Sequence, residues 1–322
     1  MMTPRFFRPR GSCRGSRLLP LQLLALALVG TAAEVLAQEG RLLQIRPQQP
    51  GQPLSARDFA QHSGETPLWK NPPGFERDVF TFVRIRYHTR GGRGRSPFAL
   101  SGGNSYRGNP YGGYRGPNRW ATDFPDADLN LSWRLQQMTS LKVDPEPKVI
   151  EITDPFLFRY PFIYIVEPGD LELTDEEVPI LRRYLLNGGF LMIDDFWGED
   201  EWAVCEEMFK KVFPDRRFFE LPLTHPLYHG VFEIKEKYQC ANVRRGIESE
   251  HGGETWEKPD AKEVHHRGIE DDHGRLMVLT LHNTDTGDGW EREGESDYYF
   301  HNFSEKIAYP LGVNIIYYVM TH

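Results

Sequence analysis

The fold is decided by residues 161–196, which read PFIYIVEPGDLELTDEEVPILRRYLLNGGFLMIDDF. Phe162–Val166 is apolar without alternation, which is typical of a strand covered on both faces, as in a parallel sheet. Phe190–Ile193 has the same character and ends in Asp194-Asp195. Since two parallel strands need a crossover between them, the stretch predicts a strand, a helix and a second strand.

The predicted crossover helix is marked at both ends. Thr174 and Glu177 have the spacing of a capping box, and Leu173 and Val178 have that of a hydrophobic staple. Gly188-Gly189 follows the apolar stripe, as glycine commonly does at the C-terminus of a helix. These signals favour a helix that begins near Thr174 and ends before Gly188.

Outside this unit, further strands and helices alternate along the chain. Strands are predicted at residues 79–87, 148–153, 217–221 and 275–281. Helices are predicted at residues 126–138, with Asp126 as the cap, and at about 199–212 and 307–320. Residues 242–274 are charged, contain glycine and are predicted to be irregular. The alternation predicts a three-layer α/β domain with a mostly parallel sheet.

The N-terminus has the pattern of an export signal. Five arginines, from Arg5 to Arg17, precede an apolar run from Leu18 to Val29. The run has about 12 residues, whereas roughly 20 are needed to cross a bilayer. We therefore predict a signal peptide at residues 1–37 that is cleaved after Ala37. The mature protein is then periplasmic or secreted, with no transmembrane anchor.

Cleavage changes the charge of the protein. The whole chain has 38 basic and 46 acidic residues, a formal charge of −8. Five basic residues and one acidic residue leave with the signal, so 33 and 45 remain and the formal charge becomes −12. This acidic balance argues against a general binder of nucleic acids or anionic membranes.

Two cysteines, Cys205 and Cys240, remain after Cys13 leaves with the signal. In an oxidising compartment they could form one disulfide. Two unpaired buried thiols agree with the sequence equally well, because the sequence does not give their separation.

Two segments differ from the predicted α/β core. Residues 38–75 are rich in glutamine and proline and predict a disordered linker before a single domain at residues 76–322. Residues 90–119 are rich in glycine and arginine and predict a flexible loop. Such loops can bind nucleic acid, but here the positive charge is confined to one stretch of an acidic protein. We therefore favour a surface flap over a site and expect no nucleic-acid partner.

Seven stretches together resemble a bacterial family known as domain of unknown function 4159. They are FVRIRY at 82–87, WATDFPDADLNL at 120–131, DPFLFRYPFIYIVEPG at 154–169, LLNGGFLMIDDFWG at 185–198, THPLYH at 224–229, HNTDTGDGWE at 282–291 and GVNIIYYVM at 312–320. Together they cover most of residues 79–321.

The resemblance implies a flavodoxin-like fold similar to that of class I glutamine amidotransferases. In those enzymes a nucleophilic cysteine stands on a sharp elbow after a central strand. The matching strand here, Phe190–Ile193, is followed by Asp194, Asp195 and Phe196. Cys205 comes later, in a predicted helix, and does not replace the nucleophile. The resemblance thus implies the fold without the amidotransferase reaction.

Polar residues follow several of the predicted strands. Doubly wound sheets bind ligands beyond the carboxyl ends of their strands, where Arg86, Asp154, Asp194, Asp195 and Asp285 are expected. These five are candidate ligand-binding residues. Asp194 and Asp195 face opposite sides of a regular strand, so both can address one ligand only if the chain turns between them.

Two loops contain further candidates. His225 and His229 are four residues apart, but a proline and a glycine place them in a loop, so helical zinc spacing is not met. Residues 283–288 resemble a calcium loop but lack its final glutamate. We prefer a tight loop that presents Trp290 beside the sheet. With Trp120, Tyr298 and Tyr299, Trp290 could form an aromatic wall for a sugar or peptide, but aromatic side chains at this frequency more often fill cores. His225 and Trp290 thus join the candidate residues, and no metal site is assigned.

The sequence supports two functions of different classes. The first is a non-catalytic domain that binds a small ligand or an envelope partner at the strand ends. The alternative is metal-assisted hydrolysis of an envelope polymer, with Asp194 or Asp195 and His225 as metal ligands. No cofactor is indicated.

Overall fold

In the computed structural model, residues 161–196 fold as the predicted strand, helix and strand. The strands Phe162–Val166 and Phe190–Phe196 pair in parallel, and the helix Glu177–Leu186 lies between them in the chain. The structure describes residues 52–62, 65–75, 78–90 and 119–322. All of them belong to one unit, residues 43–322.

The described residues contain ten strands and seven α-helices. The strands are β1 Leu54–Ser55, β2 Val83–Ile85, β3 His88–Thr89, β4 Lys148–Ile150, β5 Phe162–Val166, β6 Leu171–Glu172, β7 Phe190–Phe196, β8 Phe219–Glu220, β9 His265–Glu270 and β10 Leu276–His282. The helices are α1 Asp126–Met138, α2 Glu177–Leu186, α3 Gly198–Val212, α4 Val243–Ser249, α5 Thr286–Glu291, α6 Asp297–Tyr299 and α7 Tyr309–Thr321. A π-helix, Phe300–Ala308, connects α6 to α7.

Eight strands form one sheet in the order β1-β4-β2-β5-β7-β10-β9-β8. The central strands from β4 to β10 are parallel to one another. The outer strands β1, β9 and β8 pair antiparallel. The protein is therefore α/β with a large, mostly parallel sheet, as the alternation of strands and helices predicts.

Helices cover both faces of this sheet. Ile163 and Ile165 of β5 belong to a buried cluster with apolar residues of α2 and α3. Phe162, Tyr164 and Val166 belong to a second buried cluster with residues of α1 and α7. Successive side chains of β5 thus meet a hydrophobic layer on either face, which explains the apolar run without alternation. Each buried side chain of this size contributes roughly 1.5–3 kcal/mol to folding.

The capping box of α2 is confirmed. The Thr174 amide donates to Glu177 Oε2 at 2.8 Å, and the Glu177 amide donates to Thr174 Oγ1 at 3.2 Å. The helix ends before Gly188, whose φ of 104° is a backbone conformation that favours glycine. Local sequence signals therefore suffice to fix both ends of this helix.

Several elements differ from the predictions. The segment predicted as a linker contributes β1, which pairs with β4 through backbone groups and so needs no apolar pattern. The predicted irregular segment 242–274 contains helix α4 and the antiparallel strand β9. Asp126 is the first residue of α1, and Pro125 occupies the N-cap position in its place. Asp126 Oδ2 instead accepts a hydrogen bond from the His62 amide at 2.8 Å.

Some predictions concern residues that the structure leaves undescribed. The signal peptide at residues 1–37 and residues 91–118 of the predicted loop lie outside the described ranges. Within those ranges, no helix combines the length and the apolar character needed to span a membrane.

Candidate acidic site at the carboxyl ends of the strands

Three buried aspartates converge beyond the carboxyl ends of β7 and β10. One carboxylate oxygen each from Asp123, Asp195 and Asp285 lies within 4.8 Å of the other two. The three residues are 9%, 6% and 3% exposed. We call Asp123, Asp195 and Asp285 the carboxylate triad. Its position agrees with the general location of ligand sites in parallel α/β sheets.

A break in the pairing of β7 with β10 positions Asp195. Ile193 pairs with Thr280, but the next pair joins Phe196 to His282, so β7 contains one extra residue at this point. Asp195 has a φ of 53°, in the left-handed region. Such a bulge redirects the side chains that follow it. The chain therefore turns between Asp194 and Asp195, which a regular strand would hold on opposite faces.

A buried arginine positions the segment that carries Asp123. The Arg84 guanidinium forms an ion pair with Asp128 at 2.5 Å, and both side chains are fully buried. The same guanidinium donates to the carbonyl oxygens of Trp120 and Thr122, at 3.0 Å and 2.8 Å. Asp123 follows directly, with a φ of 61°. The ion pair thus fixes the turn that directs Asp123 towards the triad.

Asp123 has a buried oxygen without a partner. No hydrogen-bond partner for its Oδ2 exists among the described residues. This oxygen lies against Gly287, where an added Cβ would stand only 2.1 Å from it. A buried carboxylate oxygen normally accepts at least one hydrogen bond, so this one needs an explanation. The close approach also explains why residue 287 has no side chain.

Helix α5 provides the third member of the triad and two more acids. Asp285 Oδ1 accepts a hydrogen bond from the Asp288 amide at 2.7 Å and so caps the helix. Asp288 and Glu291 of α5 form a second group with Asp123, again with oxygens within 4.8 Å of one another. Asp123 therefore belongs to two groups of three carboxylates.

Glu291 belongs in turn to a third group, with Asp126 and His62. His62 Nδ1 lies 3.2 Å from Asp126 Oδ2 and 3.4 Å from Glu291 Oε1. Its hydrogen bonds to these two carboxylates raise the pKa of His62 to about 9. His62 is thus a cation at neutral pH and balances part of the negative charge at the outer end of the cluster.

Asp194 lies beside the triad with a different set of contacts. Its Oδ2 accepts hydrogen bonds from the hydroxyls of Thr286 and Tyr164, at 2.5 Å and 3.2 Å, and from the Gly287 amide at 2.9 Å. Its Oδ1 is buried and has no partner among the described residues. Burial raises the pKa of Asp194 to about 6, although these hydrogen bonds oppose the shift.

The electrostatics of the triad disfavour three bare carboxylates. Burial raises the pKa of Asp123, Asp195 and Asp285 well above the usual range. Repulsion from neighbouring acids raises each pKa further, with Asp288 acting on Asp123 and Asp195 acting on Asp285. Buried like charges are stable only if they take up protons or are matched by a cation. The triad therefore needs protons or a bound positive ion.

The basic side chains near the triad form ion pairs with a separate group of acids, Glu167, Asp170 and Glu201. Arg119 contacts Glu167, Asp170 and Glu201, and Lys258 Nζ lies 3.0 Å from Glu201. Burial raises the pKa of Glu167 to about 7, and Arg119 opposes this shift. Arg119 and Lys258 therefore pair with acids outside the triad. Among the described residues, no Lys or Arg forms an ion pair with a triad member.

Backbone strain is concentrated at this edge of the sheet. Asp123, Glu167, Asp195 and Asn283 are the non-glycine residues with positive φ in the described part of the chain. Each such residue costs of order 1–3 kcal/mol and persists only where its surroundings impose it. Asn283 Oδ1 accepts a hydrogen bond from the Gly198 amide at 2.8 Å, which ties the end of β10 to the start of α3. Strain of this kind is typical of functional sites.

The donor set of the triad determines which ions suit it. Carboxylate oxygens are the preferred ligands of hard cations such as Ca²⁺, Mg²⁺ and Mn²⁺. The triad contains no histidine or cysteine, which zinc and copper sites usually include. The residues therefore fit a divalent cation of the hard class.

A family model now places these residues in a known group of proteins. The model described as "Domain of unknown function (DUF4159)" matches residues 111–320. The chain belongs to the DUF4159 family. The matched region contains all three members of the carboxylate triad, together with Asp288 and Glu291. No curated protein matches the sequence.

The structure brings together some of the predicted site residues. Asp194, Asp195 and Asp285 meet at one edge of the sheet within the DUF4159 region. Arg86 does not join them and forms an ion pair with Glu151 at 2.9 Å. Asp154 Oδ1 accepts a hydrogen bond from the Phe156 amide at 2.8 Å and stabilises a turn.

His225 and Trp290 have packing roles. His225 Nδ1 accepts a hydrogen bond from the Leu227 amide at 3.2 Å, and its ring packs on Tyr318. Its nearest acid is Glu270, at 3.9 Å, so His225 is not part of the carboxylate triad. Trp290 is fully buried and contacts Tyr164, so it offers no aromatic wall to a ligand.

Cys205 and Cys240 are both unpaired and buried. Burial raises the pKa of Cys205 and of Cys240 far above neutrality. Only the thiolate is a good nucleophile, so burial disfavours the reactive form of both residues. The sequence agrees with either one disulfide or two unpaired buried thiols, and the structure has the two unpaired thiols.

Three acids of this candidate site were not predicted from the sequence. Asp123, Asp288 and Glu291 follow no strand directly, so a search restricted to strand ends does not find them. Asp288 stands in residues 283–288, the stretch that resembles a calcium loop, and Glu291 follows three residues later. The stretch fails as a calcium loop because it forms helix α5, but its oxygen-rich composition was an informative signal.

Proposed function

We propose that this DUF4159 protein binds a divalent cation of the Ca²⁺, Mg²⁺ or Mn²⁺ class at the carboxylate triad. The observation that supports the proposal is the unpartnered, buried Oδ2 of Asp123 within a group of three buried carboxylates. A cation at this position gives that oxygen a partner and offsets the repulsion that raises the three pKa values.

The cation serves a binding function in this proposal, and the protein is a non-catalytic domain of the bacterial envelope. A hard cation bound by protein carboxylates has room for further oxygen ligands, which a small molecule or a partner can provide. The export pattern of residues 1–37 supports a location outside the cytoplasm. The acidic character of the mature chain supports a partner that is not a polyanion.

We further propose that the fold is of the class I amidotransferase-like type, with Asp195 at the position of the nucleophile. Support comes from the end of β7, where Asp195 adopts a φ of 53° three residues before α3 begins at Gly198. Nucleophile elbows in α/β enzymes are sharp, strained turns between a strand and a helix. In this interpretation the elbow directs a metal ligand, rather than a cysteine, into the site.

The test is the response of folding stability to cations. Protein stripped with chelator and returned to pH 7.5 is titrated with Ca²⁺, Mg²⁺ or Mn²⁺ while thermal unfolding is followed. We expect one ion to stabilise the protein by about 2.7 kcal/mol at 100 times its Kd. In the Asp285→Asn variant we expect this response to disappear, although asparagine still caps α5.

Asp154→Asn is the matched control, because it makes the same change at an acid outside the triad. This variant should respond to the cations as the wild type does. The proposal is wrong if the wild type binds none of the three ions, or if Asp285→Asn responds as strongly as the wild type.

Metal-assisted hydrolysis of an envelope polymer is the second candidate function. It is favoured by one observation, that Asp123 belongs to two groups of three carboxylates. Hydrolases with two metal ions hold them about 3.5–4 Å apart, commonly with shared ligands. Here the second ion would use Asp288 and Glu291, whereas His225 is excluded as a ligand by its position.

Metal content and activity distinguish the two functions. Hydrolysis predicts two bound ions in the wild type, one in Glu291→Gln, and release of reducing ends from purified peptidoglycan. A single bound ion, together with no release of reducing ends from peptidoglycan, would reject the hydrolase and agree with the binding function.

A further inference from the structure

A group with a different set of donor atoms lies at the outer end of the acidic site. His62, Asp126 and Glu291 each offer one ligand atom, and these atoms lie within 4.8 Å of one another. We call these three residues the outer group. It shares no residue with the carboxylate triad and, unlike the triad, includes an imidazole. Its two acidic side chains are 0% and 4% exposed, whereas the His62 side chain is 56% exposed, so the outer group opens to solvent on one side.

The separations within the outer group are close to those of ligands around a metal ion. His62 Nδ1 lies 3.2 Å from Asp126 Oδ2 and 3.4 Å from Glu291 Oε1. Hydrogen bonds between charged groups are usually shorter, about 2.7–2.9 Å, and a single N–H cannot point directly at two oxygens. Nitrogen and oxygen ligands about 2.0–2.2 Å from a tetrahedral ion lie roughly 3.3–3.5 Å apart. An ion between the three atoms therefore fits these separations better than one shared proton does.

A closed loop holds His62 beside the start of α1. The Gln61 side chain makes two hydrogen bonds with Thr66, from its Nε2 to Thr66 Oγ1 at 2.7 Å and from the Thr66 amide to its Oε1 at 2.9 Å. Thr66 Oγ1 in turn donates to Asn130 Oδ1 of α1 at 2.6 Å. These contacts anchor the loop on α1, so the protein itself sets the position of His62.

Hydrogen bonds also orient the two carboxylates. The His62 amide donates to Asp126 Oδ2 at 2.8 Å. Arg292 Nε donates to Glu291 Oε2 at 2.8 Å, while Glu291 Oε1 is the oxygen nearer to His62. Partners of this kind fix the orientation of ligand side chains in metal sites. Three protein ligands with one open side are the arrangement of zinc sites that keep a position for a further ligand.

We propose that the outer group binds Zn²⁺ through His62 Nδ1, Asp126 Oδ2 and Glu291 Oε1, with the fourth position open to an oxygen or nitrogen ligand from solution. Imidazole combined with carboxylates suits Zn²⁺ better than it suits the hard cations proposed for the triad. Binding displaces the proton that His62 holds between the two carboxylates, because a ring nitrogen binds a metal only when it is deprotonated. The proposal goes beyond cation binding at the triad and does not depend on it.

The hydrolase alternative uses Glu291 for a different ion. In that alternative Glu291 acts together with Asp123 and Asp288. Only the zinc site requires His62, so the effect of changing His62 separates the two.

The test titrates the full chain with Zn²⁺ by calorimetry. The protein carries no histidine tag, is stripped with chelator and is kept at pH 7.5 in excess Ca²⁺ and Mg²⁺, which compete for sites that prefer hard cations. We expect one Zn²⁺ per chain and, in the ¹⁵N spectrum of labelled histidines, the largest shift at Nδ1 of His62. With Co²⁺ in place of Zn²⁺, we expect the intense visible absorption of a tetrahedral ion.

Three variants examine the site. His62→Gln removes the nitrogen ligand, and we expect it to weaken Zn²⁺ binding at least a hundredfold and to abolish the Co²⁺ absorption. His301→Gln is the matched control, because His301 is also exposed but pairs with one carboxylate, that of Glu305, at 2.8 Å. Its affinity for Zn²⁺ should equal that of the wild type. Asp285→Asn changes the triad alone and should also leave Zn²⁺ binding unchanged, whether or not the triad binds a hard cation.

The proposal is overturned by any of three results. These are the absence of stoichiometric Zn²⁺ binding, equal Zn²⁺ affinities of His62→Gln and the wild type, and loss of Zn²⁺ binding in Asp285→Asn with unchanged circular dichroism. The last result would place the ion at the carboxylate triad instead.

Discussion

Asp195 shows how one backbone conformation creates a site that strand geometry alone does not allow. In a regular strand, Asp194 and Asp195 address opposite faces. The left-handed φ of Asp195 and the extra residue in β7 bring both carboxylates to the same edge. The sequence indicated the location of this site, but not the turn, because a single strained residue has no periodic pattern.

Gly287 offers a sharp test of the packing around Asp123. A Cβ at residue 287 would lie 2.1 Å from Asp123 Oδ2, so Gly287→Ala must displace that carboxylate. Overpacking of this kind costs typically 1–3 kcal/mol. We therefore expect both a loss of stability in this range, measured with urea, and at least tenfold weaker cation binding.

Gly294→Ala is the matched control, because a Cβ there meets no atom within 4 Å. Unchanged cation affinity in Gly287→Ala would show that Asp123 is not a ligand.

We expect the stability of the protein to depend on both partners of the buried ion pair between Arg84 and Asp128. Arg84→Met leaves the carboxylate of Asp128 buried and unpaired, and such a change costs about 3–5 kcal/mol. Chemical denaturation measures the cost. The double variant Arg84→Met with Asp128→Leu should recover much of it, since both charges are then absent.

A double variant as unstable as Arg84→Met would mean that the hydrogen bonds from Arg84 to Trp120 and Thr122 dominate. That result would locate the stabilising role in the turn before Asp123 rather than in the charge pair.

Among the elements, those with local signals were predicted well. The strands around Phe162 and Phe190 and the helix between them have unbroken apolar runs and a capping box, and all three are present. Strands β1 and β9 were not predicted. They are held mainly by backbone pairing at the outer part of the sheet, which leaves little trace in side-chain type.

The capping box of α2 predicts a modest and measurable effect. Thr174→Ala removes the hydroxyl that accepts from the Glu177 amide, and loss of such a cap costs about 1 kcal/mol. The free energy of unfolding in urea should fall by this amount. Thr174→Ser keeps the hydroxyl and should be nearly neutral, and equal effects of the two variants would contradict the role of the cap.

Strand β10 ends in a histidine whose titration links stability to pH. Burial lowers the pKa of His282 to about 3, from about 6.5 in the unfolded chain. The unfolded state binds the proton first as pH falls, so the stabilisation is complete above pH 6.5 and is lost towards pH 3. At pH 4.5, two units below 6.5, the loss from this residue is about 3 kcal/mol.

Unfolding in urea at pH 7 and at pH 4.5 measures this dependence. His282→Gln cannot take up the proton and should lose less stability between the two pH values than the wild type. An identical loss in both proteins would assign the acid sensitivity to other groups, such as His266.

At the scale of the whole fold, the two buried thiols imply that no disulfide links the parts of the chain that the structure describes. Cys205 and Cys240 are 0% exposed, so a thiol reagent should react only when the protein unfolds. We expect the melting temperature to be the same with and without reductant. Labelling in the native protein, or a lower melting temperature in reductant, would contradict this arrangement.

The three members of the carboxylate triad come from three distant parts of the chain, before α1, near the end of β7 and after β10. No short peptide from this protein can therefore hold the proposed ion, because the ligands meet only when the central sheet is complete. The ion would be acquired at the end of folding, and from the solution in which folding ends. For a chain that is exported before it folds, the compartment of destination, rather than the site of synthesis, would then select the metal.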